Sequence, residues 1–172
     1  MGRKMAWSLV VVMSIVVVAG CLCEPCSQDK RNEETVLLAF QAIEAGDFDI
    51  LDRVIAEDYV RHCQATPDIQ VRSLEQLKAF LAADRAAVPD VSLEVVHLFA
   101  QKDRVAFWAV YRGTQTGQMG PFPPSGRKAE LDVAGVYRLV GGKIVETWVT
   151  WDNLAMLTQL GHFPPQPAEV PE

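Results

Sequence analysis

The spacing of apolar positions changes near the middle of the chain. Before Pro89 the apolar residues recur at helical spacing, and after it they alternate with the period of two that is typical of strands. The first part therefore predicts three helices and one short strand, and the second part predicts four strands. A last helical pattern covers residues 153–160 and ends at Gly161.

The first two helices and the early strand have recognisable ends. The first helix is predicted from Lys30 to Gly46, where a glycine is a common helix stop. A second, short apolar stripe covers residues 48–55. The segment DYVRHC follows it as a short strand that carries Tyr59 and His62.

Capping and turn residues mark the third helix and the later strands. Ser73 and Gln76 form a capping box at the start of that helix, and Pro89 ends it. Tight joints are predicted at residues 102–103 and 141–142. The four strands are the stretches VSLEVVHLFA, RVAFWAVYRGT, RKAELDVAGVYRLV and KIVETWVTW.

Helices followed by a run of strands predict an α+β domain in which the helices cover one face of a curved antiparallel sheet. Such an arrangement leaves a concave apolar pocket, the usual place for a small hydrophobic ligand. The domain is assigned to residues 30–162, and the proline-rich residues 163–172 form a tail.

The amino end has the composition of an export signal. An apolar run over residues 5–20 follows two basic residues and is shorter than the roughly 20 residues of a membrane-spanning helix. The run ends in VAGC, which resembles the bacterial lipobox and implies a lipid on Cys21. We therefore expect a signal peptide at 1–20, a tether at 21–29, and an exported, membrane-anchored lipoprotein of the bacterial cell envelope. The alternative is a plain secretory signal.

Charge and cysteine content narrow the possible partners. The chain has 16 Lys and Arg against 22 Asp and Glu, a net charge of −6, with no basic cluster, so nucleic acid is not an expected partner. Cys23, Cys26 and Cys63 lack a second cysteine or histidine pair that would complete a zinc site. They predict a disulfide or inert thiols and no metal.

Asp152 is the first candidate for chemistry. Placed on the last strand, it shares a side with Thr150 and Trp148, while Trp151 points away. A carboxylate held against indole rings in a dry pocket has a raised pKa and can exchange protons near neutral pH. The alternative, which spacing alone favours, is that Asp152 caps the last helix, a role worth about 1 kcal/mol.

His62 is the second candidate, since it could meet Asp152 across the mouth of the pocket. Tyr59, Trp108 and Tyr137 are candidates for binding a substrate, with core packing as the alternative for each. The chain has no GxSxG, HExxH or glycine-rich phosphate motif, which argues against serine acyl-enzyme chemistry, zinc hydrolysis and nucleotide binding.

Taken together, four stretches resemble the SnoaL-like polyketide cyclase (ester cyclase) family of the nuclear transport factor 2-like superfamily. They follow the family's order and cover about residues 32–161. The resemblance implies a cone-shaped, cystatin-like α+β barrel, usually dimeric, with an open apolar pocket and no metal or organic cofactor. The stretches are GDFDILDRVIAEDYVRH, SLEQLKAFLAADRAAVPDVSLEV, DRVAFWAVYRGTQTGQMGPFPPSGRKAEL and VYRLVGGKIVETWVTWDNLAMLTQLG.

The resemblance also implies roles for particular residues. It implies that Asp152 transfers protons in an intramolecular aldol ring closure and that His62 lines the pocket, where Trp148 helps to position the substrate. Gln115 stands where the family often has a histidine, and glutamine cannot titrate. The export signal also differs from the cytoplasmic setting of polyketide synthesis.

Two functions follow as hypotheses. The first is a cofactor-independent cyclase or isomerase that uses an aspartate as acid and base on a small apolar carbonyl or ester substrate. The alternative is a non-catalytic, lipid-anchored protein that binds a small hydrophobic ligand. In both, a homodimer is expected, and the membrane is contacted through the lipid on Cys21.

Overall fold

The chain folds into a five-stranded sheet with helices packed on one face. A computed structural model describes residues 24–164, with side chains from residue 28 onwards. The elements are α1 (Glu24–Ala45), α2 (Leu51–Val54), β1 (Ile55–Cys63), α3 (Leu74–Ala87), β2 (Ser92–Gln101), β3 (Arg104–Thr114), β4 (Lys128–Val140), β5 (Lys143–Trp151) and α4 (Asn153–Leu160). Their types and order confirm the predicted α+β class.

The first helix begins earlier than predicted. It starts at Glu24, so the expectation of a tether over residues 21–29 is wrong from Glu24 onward. Asp29 accepts a hydrogen bond from the backbone N–H of Lys102, and Asn32 donates one to the carbonyl of Lys102. These bonds attach the first turns of α1 to the turn between β2 and β3.

The predicted signal peptide, Cys21 and residues 165–172 of the predicted tail lie outside the described residues.

The sheet is open and contains one parallel pair. The strand order is β1-β5-β4-β3-β2, with β1 and β2 at the edges, so the predicted barrel does not close. The predicted antiparallel pattern holds for β2 to β5, whereas β1 runs parallel to β5 because the chain crosses over between them. Register shifts within β1, β2 and β4 are β-bulges or similar irregularities, which bend and twist strands and so curve the sheet.

An aromatic cluster joins α1 to the middle of the sheet. Phe40 packs edge-on against Phe107 at 5.1 Å between ring centroids, and Phe107 stacks on Tyr137 at 5.1 Å. Gly135 makes room for this stack, since a β-carbon there would come within 2.7 Å of the Phe107 ring. These contacts fix which side of the sheet faces the helices.

Cross-strand pairing sorts the strand residues onto two faces. Arg61 pairs with Thr147, which pairs with Tyr137, on the helix-covered side that we call the inner face. His62 pairs with Trp148 on the opposite side, which we call the outer face. Among the described residues, none of the helices is long and apolar enough to cross a membrane.

Candidate active site

Asp152 lies at the end of the sheet, directly before the last helix. Strand β5 ends at Trp151, and Asp152 is the N-cap of α4, where its carboxylate accepts a hydrogen bond of 2.8 Å from the backbone N–H of Ala155. The side chain is exposed. The structure shows the capping role that residue spacing favoured, with the carboxylate exposed, and a catalytic role for Asp152 stays a prediction.

His62 lies on the outer face, away from Asp152. Its Nε2 is 2.8 Å from a carboxylate oxygen of Glu146, and its ring stacks on Trp148 at 5.1 Å between centroids. Trp108 also lies on the outer face, where its indole N–H donates to Asp132 at 3.0 Å. His62, Trp148 and Trp108 thus lie on the side of the sheet opposite the helices, and their roles in a pocket stay predictions.

Tyr59 and Tyr137 do lie on the inner face, but both are buried beneath other side chains. Burial raises the pKa of Tyr59 to about 12 and also raises the pKa of Tyr137. Both hydroxyls therefore stay protonated near neutral pH. These tyrosines lie buried on the inner face of the sheet. Near neutral pH they can donate hydrogen bonds but cannot act as bases.

A carboxylate that the sequence reasoning did not single out lies over this face. Asp84 is half-buried on α3, and the hydroxyl of Tyr111 donates a long hydrogen bond of 3.4 Å to its Oδ2. Burial raises the pKa of Asp84, and the Tyr111 hydrogen bond and the charge of Arg61 offset only part of this effect. A raised pKa moves a carboxyl group from its usual acidic range toward neutral pH, the direction that suits a general acid or base.

Asp84 differs in this respect from the other carboxylates with shifted pKa values. The backbone N–H of Thr114 holds the pKa of the exposed Asp90 below its usual value. Hydrogen bonding to His62 is the main cause of the lowered pKa of Glu146. Both groups stay ionised near neutral pH, so among the shifted carboxylates of the described chain only Asp84 has its pKa moved toward neutral pH.

Arg61 and Trp151 lie beside Asp84 on the inner face. The guanidinium carbon of Arg61 stands 4.6 Å from the centre of the Phe80 ring and 5.7 Å from that of Trp151. Phe80 and Asp84 are four residues apart on α3, so both project from one side of this helix. The cluster thus combines a cation, a carboxyl group, a phenol and two apolar rings.

The position of Asp84 on its helix is a sequence signal that was available. Leu77, Phe80 and Asp84 are spaced by three and four residues, which places a charged residue on the apolar stripe of α3. A carboxylate on such a stripe faces the interior of the domain. The apolar stripe was predicted, and the charge that continues it was overlooked.

The loop between β3 and β4 is bonded to the end of α3. Gln115 is fully buried, its amide donates to the carbonyl of Pro123 at 3.0 Å, and its oxygen is 2.7 Å from Nε2 of His162. The backbone N–H groups of Thr116 and the next residue donate to the carbonyl of Ala87. Gln115 therefore holds a loop next to the helix that carries Asp84, which gives this non-titrating residue a structural role.

A separate hollow of about 710 Å³ lies between α1 and the turns at 102–103 and 141–142. Its lining includes Arg31, Thr35 and Asp103, but none of the residues of the Asp84 cluster. Within residues 24–164, no group of three His, Cys, Asp or Glu residues is placed to hold a metal ion. We therefore take the Asp84 cluster as the candidate active site.

Comparisons with known proteins agree on the fold. A family model described as SnoaL-like polyketide cyclase matches residues 34–160. The crystal structure of IdmH from Streptomyces antibioticus, a proposed polyketide cyclase, is 31% identical with a TM-score of 0.67, over 76% of this chain and 98% of that one. No protein with a curated description matches.

Two further solved structures show how widely the fold is used. A proposed SnoaL-like polyketide cyclase from Jannaschia sp. CCS1 is 24% identical with a TM-score of 0.72, covering 79% of this chain and 95% of that one. AclR from Streptomyces galilaeus, a proposed hydroxylase, is 25% identical with a TM-score of 0.69, covering 79% and 99%. Because proteins of this shape carry different proposed activities, the reaction must be argued from the side chains.

Proposed function

The chain belongs to the SnoaL-like polyketide cyclase family, and from this premise we propose that it is a cyclase- or isomerase-type enzyme acting on a small apolar carbonyl or ester substrate. We assign the acid and base role to Asp84. The supporting observation is the half-buried carboxyl group with a raised pKa, bonded to Tyr111 over an aromatic inner face.

The reaction begins with removal of a proton next to a carbonyl group. The Asp84 carboxylate takes this proton, the C–H bond breaks, and its electron pair moves toward the carbonyl oxygen to give an enolate. Return of the proton to another carbon completes an isomerisation. Alternatively, the enolate carbon attacks a second carbonyl of the same molecule, and Asp84 gives the proton to the new alkoxide, which completes a ring closure.

Tyr111 positions the carboxyl group in this scheme. Its burial and the nearby negative charge of Asp84 raise the pKa of the Tyr111 hydroxyl, so it remains a donor at neutral pH. Donation to Oδ2 leaves the second carboxylate oxygen, Oδ1, for the substrate proton. The protonated tyrosines beneath the site have no role as bases.

The proposal is tested by following proton exchange in a simple ketone. We expect the wild-type protein to accelerate replacement of the α-protons of 2-tetralone by deuterium in D₂O, measured by NMR. Asp84→Asn should lower the protein-dependent rate about 100-fold or more, the usual contribution of a general base. Glu75→Gln removes an exposed carboxylate from the same helix and should leave the rate unchanged.

Two results would contradict this assignment. If Asp84→Asn exchanges at the wild-type rate, another group is the base. If the wild-type protein does not accelerate exchange at all, the alternative of a binding protein for a small hydrophobic ligand takes precedence.

We also propose that the protein is anchored in the bacterial cell envelope by a lipid on Cys21, which VAGC at residues 18–21 supports.

A further inference from the structure

Arg61 is a half-buried cation with few polar partners. Its only side-chain hydrogen bond to another described residue is a long one of 3.4 Å to the hydroxyl of Thr66, and no described carboxylate lies within ion-pair distance. By contrast, on the outer face Arg112 binds two glutamates at 2.8 and 2.9 Å, and Arg138 binds one at 2.8 Å. Most of the five N–H donors of Arg61 are therefore available to a ligand.

Aromatic rings hold the Arg61 guanidinium in place. Its carbon lies within 6 Å of the ring centres of both Phe80, from α3, and Trp151, from β5. Attraction to the ring faces and the loss of surrounding water limit the movement of the side chain. A planar apolar molecule that enters between the two elements would meet this cation.

Two further polar groups on the same side of the sheet lack partners. The indole N–H of Trp151 and the hydroxyl of Thr147 are buried, and neither makes a hydrogen bond with any described residue. After burial, hydrogen bonding with Thr147 is the largest influence on the pKa of Tyr59 and lowers it, but the distance and angles between the two groups fall outside the limits of a full hydrogen bond. Thr147 also pairs directly with Arg61 across β1 and β5. Unsatisfied buried donors are rare in folded proteins and call for a physical reason.

We propose that Arg61 and Trp151, with Thr147 beneath them, form a subsite for a negatively charged oxygen of a planar apolar molecule, such as a carboxylate or an enolate. The guanidinium supplies the positive charge, the indole N–H supplies a directed donor, and the rings of Phe80 and Trp151 supply flat apolar contact. Arg61, Phe80 and Trp151 are half-exposed as residues, whereas the indole N–H itself is buried, so a ligand reaches this donor only by entering between α3 and β5.

This inference rests on the proposed function, because it names the group that would receive the charge in that reaction. When Asp84 takes a proton from the substrate, the electron pair of the broken C–H bond moves to the carbonyl oxygen. A fixed cation and a fixed N–H donor stabilise that oxygen strongly where water is excluded. The substrate class is therefore a planar apolar compound whose reacting carbonyl, or a neighbouring carboxylate, reaches Arg61.

A matched pair of probes separates charge recognition from apolar binding. We expect 2-naphthoate to bind the full-length protein at least tenfold more tightly than the neutral 2-naphthamide, measured by isothermal titration calorimetry. Arg61→Met and Trp151→Phe should each weaken 2-naphthoate binding about tenfold and change 2-naphthamide binding much less. Arg72→Met and Trp148→Phe alter the same residue types outside the cluster and should preserve the preference.

The proposal is overturned by equal affinity for the two probes, by a failure of 2-naphthoate to bind, or by an unchanged preference in Trp151→Phe. The last variant removes an unpaired N–H and keeps an aromatic ring, so it tests the subsite even if Arg61→Met does not fold. Thr147→Val should also reduce the preference for 2-naphthoate over 2-naphthamide. Thr150→Val, on the outer face, is its control.

Asp84→Asn distinguishes failure of the subsite from failure of the proposed function. It should abolish ketone exchange yet keep or strengthen 2-naphthoate binding, because it removes a nearby negative charge. If exchange persists in Asp84→Asn while Arg61 still selects 2-naphthoate, the proposed function fails and the subsite stands. If exchange needs Asp84 but the two probes bind equally, the function stands and the subsite fails.

Discussion

Asp84 occupies a position where a neutral side chain would favour folding. Its carboxyl group lies on the apolar stripe of α3, and burial is the largest influence on its pKa. Since burial disfavours the charged form, keeping an ionisable group there costs stability near neutral pH. Buried ionisable groups with shifted pKa values are common in active sites, where the shift assists proton transfer.

Replacing the carboxyl group of Asp84 should change how stability depends on pH. The folded-state pKa of Asp84 lies above its unfolded value of 3.8, so the folded protein binds this proton more tightly. The resulting stability is fully present below pH 3.8 and is lost as the pH rises through the folded pKa. We expect Asp84→Asn to be at least as stable as the wild type at pH 7, while the wild type gains relative stability toward pH 4.

Urea unfolding at several pH values between 4 and 7 measures this difference. The amide oxygen introduced by Asp84→Asn can still accept a hydrogen bond from Tyr111, so the geometry is retained. Glu75→Gln is the control, because that carboxylate is exposed on the same helix. A clear loss of stability in Asp84→Asn at pH 7 would show that the ionised carboxylate is structural.

The last helix shows how local signals define an element completely. Asp152 caps its first turn, and Gly161 ends it with a left-handed φ of 79°. Both ends were predicted from residue type, since short-range hydrogen bonds and backbone conformation decide them. The same local rules could not show whether the capping carboxylate also faces a pocket.

Asp152→Ala should destabilise the protein by about 1 kcal/mol, the usual contribution of an N-cap. The cause is the loss of the bond to the backbone N–H of Ala155. Thermal unfolding measures the loss, and ketone exchange measured per folded molecule should stay at the wild-type rate. Asp152→Asn keeps a capping oxygen and should restore most of the stability. A large loss of exchange in folded Asp152→Asn would return the catalytic role to this residue.

Elements whose contacts are distant in sequence were harder to predict. The loop between β3 and β4 is held by Gln115 and His162, which are 47 residues apart, and the stack of Phe122 on His162 at 4.9 Å supports it. No local pattern links these residues. The start of α1 was misplaced for the same reason, because its first turns are bonded to the turn at Lys102.

On the scale of the whole molecule, the outer face of the sheet carries exposed aromatic rings among charged side chains of both signs. Phe99 and Trp108 are 66% and 45% exposed, and Trp148 lies on the same face. Arginines and glutamates of β2 to β5 surround these rings. A surface with both charges can pair with a second copy of itself about a two-fold axis.

We therefore predict a homodimer that forms through the outer face. Phe99→Asp should raise the dimer dissociation constant about tenfold or more, because burying a phenylalanine contributes about 1.5 to 3 kcal/mol. Light scattering coupled to size-exclusion chromatography measures the change in mass. Leu154→Asp places the same charge at another exposed apolar position, on α4, and should leave the mass unchanged. A monomeric wild type, or a dimer unaffected by Phe99→Asp, would contradict this arrangement.

The lipid anchor is a second prediction at this scale. In a bacterial host, the full-length chain should incorporate labelled palmitate and fractionate with membranes, because VAGC ends the apolar run of residues 5–20. Cys21→Ser should lose the label, and Cys23→Ser should keep it. Equal labelling of Cys21→Ser and the wild type would exclude Cys21 as the lipidation site. The pairing of Cys23, Cys26 and Cys63 stays a prediction, since the first two side chains lie outside the described residues.

The sequence by itself determined the α+β class, the type and order of the elements, and the residues that share a side of each strand. Helical and strand periods, caps and turn glycines are local properties, so they can be read without a structure. Only the tertiary structure decided which side of the sheet the helices cover. That choice depends on packing between distant residues such as Phe40 and Phe107. It places Asp84, Arg61 and Trp151 together on the covered side and leaves His62 and Trp148 on the other.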